Sequence, residues 1–201
     1  IGVDFAVGCT YKHLNGGPGA PGFVYVNSDL IEKVSQPLSG WLGHSDPFAF
    51  DRKYFPANNI NKYICGTPSI LSYKAVESGL DVFDGISMDQ VREKSIQLSE
   101  TFITLIQQEC TEFGFELLSP KNADLRGSQI SFKHDNAYPI MQALISHGVI
   151  GDYREPNILR FGISPLYMRF EDIWEAIMCL KNIMESREWN SDRFKKRNYV
   201  T

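Results

Sequence analysis

One stretch limits what this chain can become. From Ser87 to Phe113, apolar side chains recur at Val91, Leu98, Phe102, Leu105, Ile106 and Phe113, with Glu93, Lys94, Gln97, Gln108 and Glu112 on the other side. That spacing is the stripe of an amphipathic helix. Ser87 with Gln90 three residues on forms a capping box, and Gly114 supplies a stop. At about 1.5 Å per residue such a helix spans roughly 40 Å. After it come short strands ("FELLS", "SQISFKH"), a helix from Ala137 to His147, a strand near Ile158 to Ile163 and a helix from Glu171 to Glu185. Strands alternating with helices predict a small α/β or α+β layer domain over residues 81–201. The closing stretch, "SREWNSDRFKKRNYVT", is polar but holds Trp189 and Phe194, which predicts that it docks.

The first 80 residues read differently. Residues 1–11 form a short apolar strand, and "FVYV" at 23–26 forms a second. Residues 28–70 carry scattered proline, glycine and asparagine with little periodicity, which predicts a long irregular segment at the surface or lining a site. Ser72 to Gly79 suits a short helix closed by its glycine. The chain starts at Ile1 with a strand already in progress, so it is expected to be a piece of a longer protein. Hydrophobic residues make up 43% and charged residues 22%, enough for a real core. A net charge of −4 leaves no basic footprint for nucleic acid. No apolar run approaches the roughly 18 residues of a membrane span. Cys9, Cys65, Cys110 and Cys179 lie far apart with no histidine at ligand spacing, so they read as reduced, mostly buried thiols of a cytoplasmic protein, with no metal.

Between the first two strands lies "CTYKHLNGGPGAPG", residues 9–22. Gly17, Gly19 and Gly22 satisfy G-x-G-x-x-G, but Pro18 and Pro21 interrupt the motif and a strand comes after it. Without a helix N-terminus there is nothing to hold a pyrophosphate. A plain glycine turn explains the glycines but not Lys12. A lysine on a loop after a strand can act as a nucleophile toward an aldehyde, provided its amine is held neutral. Tyr11 beside it offers a hydroxyl to bind a phosphate or pass a proton.

Three further stretches widen this constellation: "PLSGWLGH" (37–44), "YICGTPSI" (63–70) and "YREPNILRFGISPLY" (153–167). In this order, and over essentially the whole chain, they resemble the second half of the kynureninase family. These are pyridoxal-phosphate enzymes of the fold-type I, class V aminotransferase superfamily. The resemblance implies an α/β fold: residues 1–80 end the large cofactor domain, and 81–201 form the small C-terminal domain. It implies a cytoplasmic homodimer with shared active sites that hydrolyses L-kynurenine, or 3-hydroxykynurenine, to the anthranilate and L-alanine in tryptophan catabolism. By the same resemblance, Lys12 matches the lysine that holds the cofactor covalently, and Tyr11 the tyrosine that binds its phosphate and donates a proton. Trp41 and Thr67 match further phosphate ligands, Thr67 typically acting across the dimer. Arg160 matches the clamp for the substrate α-carboxylate. His13 departs from the family, which often has tyrosine there.

Each match has a plainer alternative. Trp41 could be a packing aromatic, Thr67 could cap a helix starting at Pro68, Arg160 could pair with a structural carboxylate such as Glu155, and His44 reads as structural. A cysteine desulfurase or selenocysteine lyase is the rival within the superfamily, but it needs a cysteine on a mobile loop, and Cys110 and Cys179 fall in predicted helices. The resemblance also implies that the carboxylate facing the pyridine nitrogen and most of the phosphate cup belong to the first half of the family's chain. The 201-residue chain by itself is therefore expected to be a folded but non-catalytic piece.

Overall fold

The structure, a computed structural model, describes residues 2–197. Ile1, at the head of the first predicted strand, and residues 198–201 of the tail lie outside them. The chain divides into two compact units, Ile1–Asp84 and Gly85–Thr201.

In the first unit, β1 (Phe5–Cys9) and β2 (Gly22–Val26) pair antiparallel, from Phe5 opposite Val26 to Cys9 opposite Gly22. Phe23 lies over Gly8 on the neighbouring strand; a Cβ at Gly8 would fall 2.4 Å from its ring. The irregular segment holds a single turn of helix α1 (Ser28–Ile31) and two 3₁₀ turns, Trp41–Gly43 and Ile60–Tyr63. Lys62, 4% exposed, fastens it: its ammonium donates to Val34 O at 3.1 Å and to Ile31 O, so α1's end and the second turn are joined. Helix α2 (Ile70–Asp81) ends the unit, two residues longer at each end than its sequence pattern suggests. Among the described residues only Val26 and Ala57 are buried apolar side chains here, while Val7 is 82% exposed on β1. Unit 1 therefore has almost no core of its own.

The second unit has one. Helix α3 (Met88–Glu109) starts at the capping box: Ser87 Oγ accepts from Gln90 N at 3.2 Å, and Ser87 N donates to Gln90 Oε1 at 2.9 Å. It stops four residues short of Phe113. Cys110 leaves helical geometry, a 3₁₀ turn covers Thr111–Phe113, and Gly114 closes it in the left-handed region at φ 79°. Then come β3 (Glu116–Leu117), β4 (Gln129–Lys133), α4 (Ala137–Ser146), β5 (Asp152–Arg154), β6 (Ile158–Gly162), α5 (Phe170–Ser186) and α6 (Asp192–Lys195). The sheet order is β3-β4-β6-β5, antiparallel throughout. Alternation along β4 and β6 sends Ile130, Phe132, Leu159 and Phe161 into one core with Leu98, Phe102 and Ile106 of α3, Ile140 and Leu144 of α4, and Ile173, Ile177 and Leu180 of α5. Each such side chain contributes about 1.5–3 kcal/mol by leaving water. Phe194 of the tail is buried and Trp189 packs against the core, so the tail does dock.

His134 sits where β4 gives way to α4. Its Nδ1 accepts from Asn136 N at 3.0 Å, so its Nε2 carries the proton and faces Phe113 O at 3.0 Å. Burial holds its pKa below the ordinary value, the carbonyl contact and Asp135 opposing this. The unfolded chain then binds the proton first as pH falls. Stability from neutral His134 is complete above the unfolded value of about 6.5 and is lost as pH drops toward the lower folded value. Melting measured at about pH 7.5 and about pH 5 should fall more in the parent protein than in His134→Gln. Equal falls in the two proteins would contradict the assignment.

Candidate functional site

The lysine turn is held from behind. Thr10 N and its hydroxyl both donate to Pro21 O, and the chain then curls through Asn15 N to Lys12 O (3.0 Å), Gly16 N to Thr10 O (3.0 Å) and Gly17 N to Tyr11 O (3.2 Å). Gly16 is buried where a Cβ would fall 2.8 Å from Val76 of α2 and 2.9 Å from Thr10 O. Gly79, also in α2, approaches Leu14 O so closely that a Cβ would sit 2.7 Å away. Helix α2 thus packs through its own glycine onto the back of the loop. On the front, Tyr11, Lys12 and His13 are exposed, the Lys12 ammonium 5.1 Å from the centre of the Tyr11 ring. Gly17 and Gly19 take positive φ of 73° and 88° with open space where side chains would stand. Strand β2 comes after them, so this is not a pyrophosphate-binding strand-to-helix turn.

The segments that carry Trp41 and Thr67 meet at Gly40 and Cys65. Gly40 lies against Cys65 so tightly that a Cβ would fall 1.6 Å from Cys65 O, and Cys65 Sγ reaches Leu38 O at 2.9 Å. Leu38 and Gly40 are therefore both held against Cys65. Trp41 is 47% exposed and touches Phe48 edge-on, 5.9 Å between centroids, so it is not a core aromatic. It borders a cavity of about 470 Å³ together with His44, Pro47, Phe50, Lys53 and Tyr54. At that cavity Phe50 adopts a left-handed φ of 51°, costly for an aromatic residue. His44 is engaged within the loop, its Nδ1 accepting from Asp46 N at 2.9 Å and its ring edge-on to Tyr54 and Phe55. Thr67 does not cap α2. That helix begins at Ile70 after Ser69, and the Thr67 hydroxyl, exposed behind Gly66, has no partner among the described residues.

Arg160 belongs to the other unit. It stands on β6 between the buried Leu159 and Phe161, so its side chain leaves the sheet on the face away from the core. Asp152 on β5 is its direct cross-strand neighbour and grips it side-on: Nε to Oδ1 at 2.7 Å and Nη2 to Oδ2 at 2.6 Å. This pairing raises the guanidinium's pKa above its ordinary value against a smaller lowering by burial. The carboxylate suggested by sequence, Glu155, is instead bonded to Tyr153 OH at 2.8 Å and to Arg197 at 2.9 Å. Asp152 is the residue that sequence reading missed; only a strand at 152–154 in register with β6 could have revealed it. The cysteines also need correction. All four are free thiols, but Cys9 and Cys65 are exposed and Cys110 alone is fully buried, its pKa pushed up to about 11 chiefly by that burial. Among the described residues no group of three or more His, Cys, Asp or Glu could hold a metal, and no helix is long and apolar enough to cross a membrane.

Comparison with known proteins adds a family to this geometry. A family model described as "Kynureninase C-terminal domain" matches residues 91–180. A kynureninase of Pseudomonas fluorescens is 48% identical over 200 residues, covering 100% of this chain and 48% of the relative. One from Burkholderia mallei (strain SAVP1) is 48% identical over 199 residues, 99% of this chain and 48% of the relative. The chain spans about half the length of the curated relatives it matches. Among solved structures, the apo cysteine desulfurase of Thermococcus onnurineus NA1 superposes with a TM-score of 0.73 at 16% identity, over 92% of this chain and 48% of that one. A C-DES mutant with glycine covalently linked to the PLP cofactor gives 0.65 at 16% identity, over 82% and 43%. At such identities the likeness establishes the fold, that of fold-type I pyridoxal-phosphate enzymes.

Proposed function

We propose that the chain is part of a kynureninase and that, in the full-length protein, it serves the pyridoxal-phosphate-dependent hydrolysis of L-kynurenine to anthranilate and L-alanine. One observation carries this reading: Lys12 stands exposed on a glycine-clamped turn within a chain whose whole length aligns with about half of a kynureninase. The residues present fit the cofactor. A flat ring can approach the backbone at Gly17 and Gly19, where nothing would obstruct it. Tyr11, Trp41 and Thr67 offer the donors an anionic phosphate requires: a phenol, an indole N–H with no competing acceptor, and a hydroxyl.

When bound, pyridoxal phosphate supplies the electron sink that such a carbon–carbon cleavage needs. The chain's own residues do the rest. Lys12 holds the cofactor through its amine and moves a proton at the substrate's α-carbon, work for which the amine must be neutral. Tyr11, on the adjacent residue, donates a proton to the β-carbon that keeps the electron pair of the broken carbon–carbon bond and becomes the methyl group of alanine. Arg160 fixes the substrate by its α-carboxylate, which a planar guanidinium meets with two parallel bonds. 3-Hydroxykynurenine fits the same roles.

The proposal extends to a cytoplasmic homodimer with shared sites. Four free thiols suit a reducing compartment. A first unit with almost no core, exposing Phe5, Val7, Phe23 and Tyr25 on its hairpin, suits an element completed by more protein. Two-fold dimers are also the commonest oligomers. Sedimentation of the active full-length protein as a monomer at assay concentration would remove this part.

The superfamily rival, removal of sulfur or selenium from an amino acid, needs a reactive cysteine. Cys110 ends α3 with its thiol buried, and Cys179 lies inside α5 with its pKa raised by burial; of the exposed thiols, Cys9 sits in β1 and Cys65 donates to Leu38 O at 2.9 Å. Full-length protein supplied with pyridoxal phosphate and L-kynurenine should form anthranilate and alanine in equal amounts. Sulfide release from cysteine without anthranilate would overturn the reading.

A further inference from the structure

Resting on the reading of Arg160 as the substrate clamp, we propose that Asp152 is its positioning residue, locking the guanidinium plane so that its outer edge faces the substrate carboxylate. The two residues are register partners on β5 and β6, so their side chains emerge on the same sheet face at the closest cross-strand spacing. Asp152 takes the Nε–H and one N–H of Nη2, at 2.7 and 2.6 Å. That is the side-on edge. The end-on edge, formed by Nη1 and the other N–H of Nη2, keeps the fork spacing that a second carboxylate needs.

The backbone is built to hold this pair. Gly151, just before Asp152, passes so close to Arg160 O that a Cβ would stand 2.7 Å from it, which fixes β5 against β6. Arg154 also comes within 3.8 Å of Asp152 Oδ1, too far for a hydrogen bond, so Arg160 is the carboxylate's principal partner. The pair is partly exposed, 27% for the Arg160 side chain and 39% for Asp152, and lies off the core face. An ion pair so placed adds little to stability. Its consequence is geometric: an arginine gripped along one edge loses the rotamer freedom it would otherwise surrender on binding substrate.

The test uses the full-length protein with cofactor and two ligands: L-kynurenine, and the corresponding amine lacking the α-carboxylate as a competitive inhibitor. In Asp152→Ala, KM for kynurenine should rise about tenfold, with kcat, melting temperature and affinity for the carboxylate-free amine nearly unchanged. Asp152→Asn retains one acceptor oxygen and should fall between parent and alanine variant. If Asp152→Ala weakens both ligands alike, or neither, the positioning role is overturned. Arg160→Ala, run on the same pair, separates this from the reading beneath it. Selective loss of kynurenine in Arg160→Ala but not in Asp152→Ala defeats only the positioning inference. No selective loss in Arg160→Ala defeats the clamp itself.

Discussion

Lys12→Ala in the full-length protein is expected to reduce kynurenine turnover by about 10³-fold or more, within the range a positioned proton-transfer group contributes. Melting temperature should hardly move. The Lys12 side chain is exposed, and the turn is kept by backbone bonds from Asn15, Gly16 and Gly17 and by the close approach of α2 at Gly16 and Gly79. None of these depends on the Lys12 side chain beyond its Cβ. A variant that melts normally and still turns over within tenfold of the parent would show that another amine does this chemistry. One that loses both stability and turnover would give Lys12 a structural role that its exposure argues against.

Arg160→Lys is expected to raise KM for kynurenine strongly, by the equivalent of about 2–5 kcal/mol for a broken, desolvated charge pair. Lysine keeps the charge but has no second N–H in a fixed plane, so it cannot meet a carboxylate through two bonds. The stability cost should be small. Leu159 and Phe161, not Arg160, face the core, and a lysine at 160 can still pair with Asp152 at a partly exposed position. Melting should therefore shift by less than about 4 °C. A larger fall in melting temperature with KM unchanged would make Arg160 part of the sheet's scaffolding and no more.

Legibility in the sequence tracks the range of the interactions involved. The capping box at Ser87 and Gln90, the amphipathic α3 and α5, and strands β1, β2, β4 and β6 are written in local patterns, and they stand in the structure. Features set by partners distant in sequence were not visible. The buried face of α3 includes Ser95 and Ser99 in place of the predicted Leu105 and Phe113, which are only partly buried. Ser95 meets Ser128 at 2.7 Å and Ser99 lies near the buried Arg126, whose guanidinium caps Pro120 O and Lys121 O. A polar cluster assembled from a later loop thus redefined the helix's inner face. The three residues of β5 are too short to show alternation, and the register that sets Asp152 opposite Arg160 depends on how the chain turns at 155–157. For the same reason Glu155, nearer in sequence, was the wrong partner. At the candidate site, residue types pointed to Lys12 and Tyr11, and the resemblance supplied Trp41, Thr67 and Arg160. The contact of Gly40 with Cys65, next to Trp41 and two residues before Thr67, joins residues 25 positions apart, and no local pattern encodes it.

The central claim is that Lys12 is the residue that binds the cofactor aldehyde. Borohydride converts a lysine–aldehyde carbon–nitrogen double bond into a stable single bond, so it records which lysine is bonded. Full-length protein incubated with pyridoxal phosphate, reduced, digested and analysed by mass spectrometry should carry one phosphopyridoxyl group per chain, on the peptide containing Tyr11-Lys12-His13. Visible absorbance should be present before reduction and lost after it, and both signals should be absent from Lys12→Ala. Stoichiometric labelling at any other lysine, with Lys12 unmodified, would contradict the account.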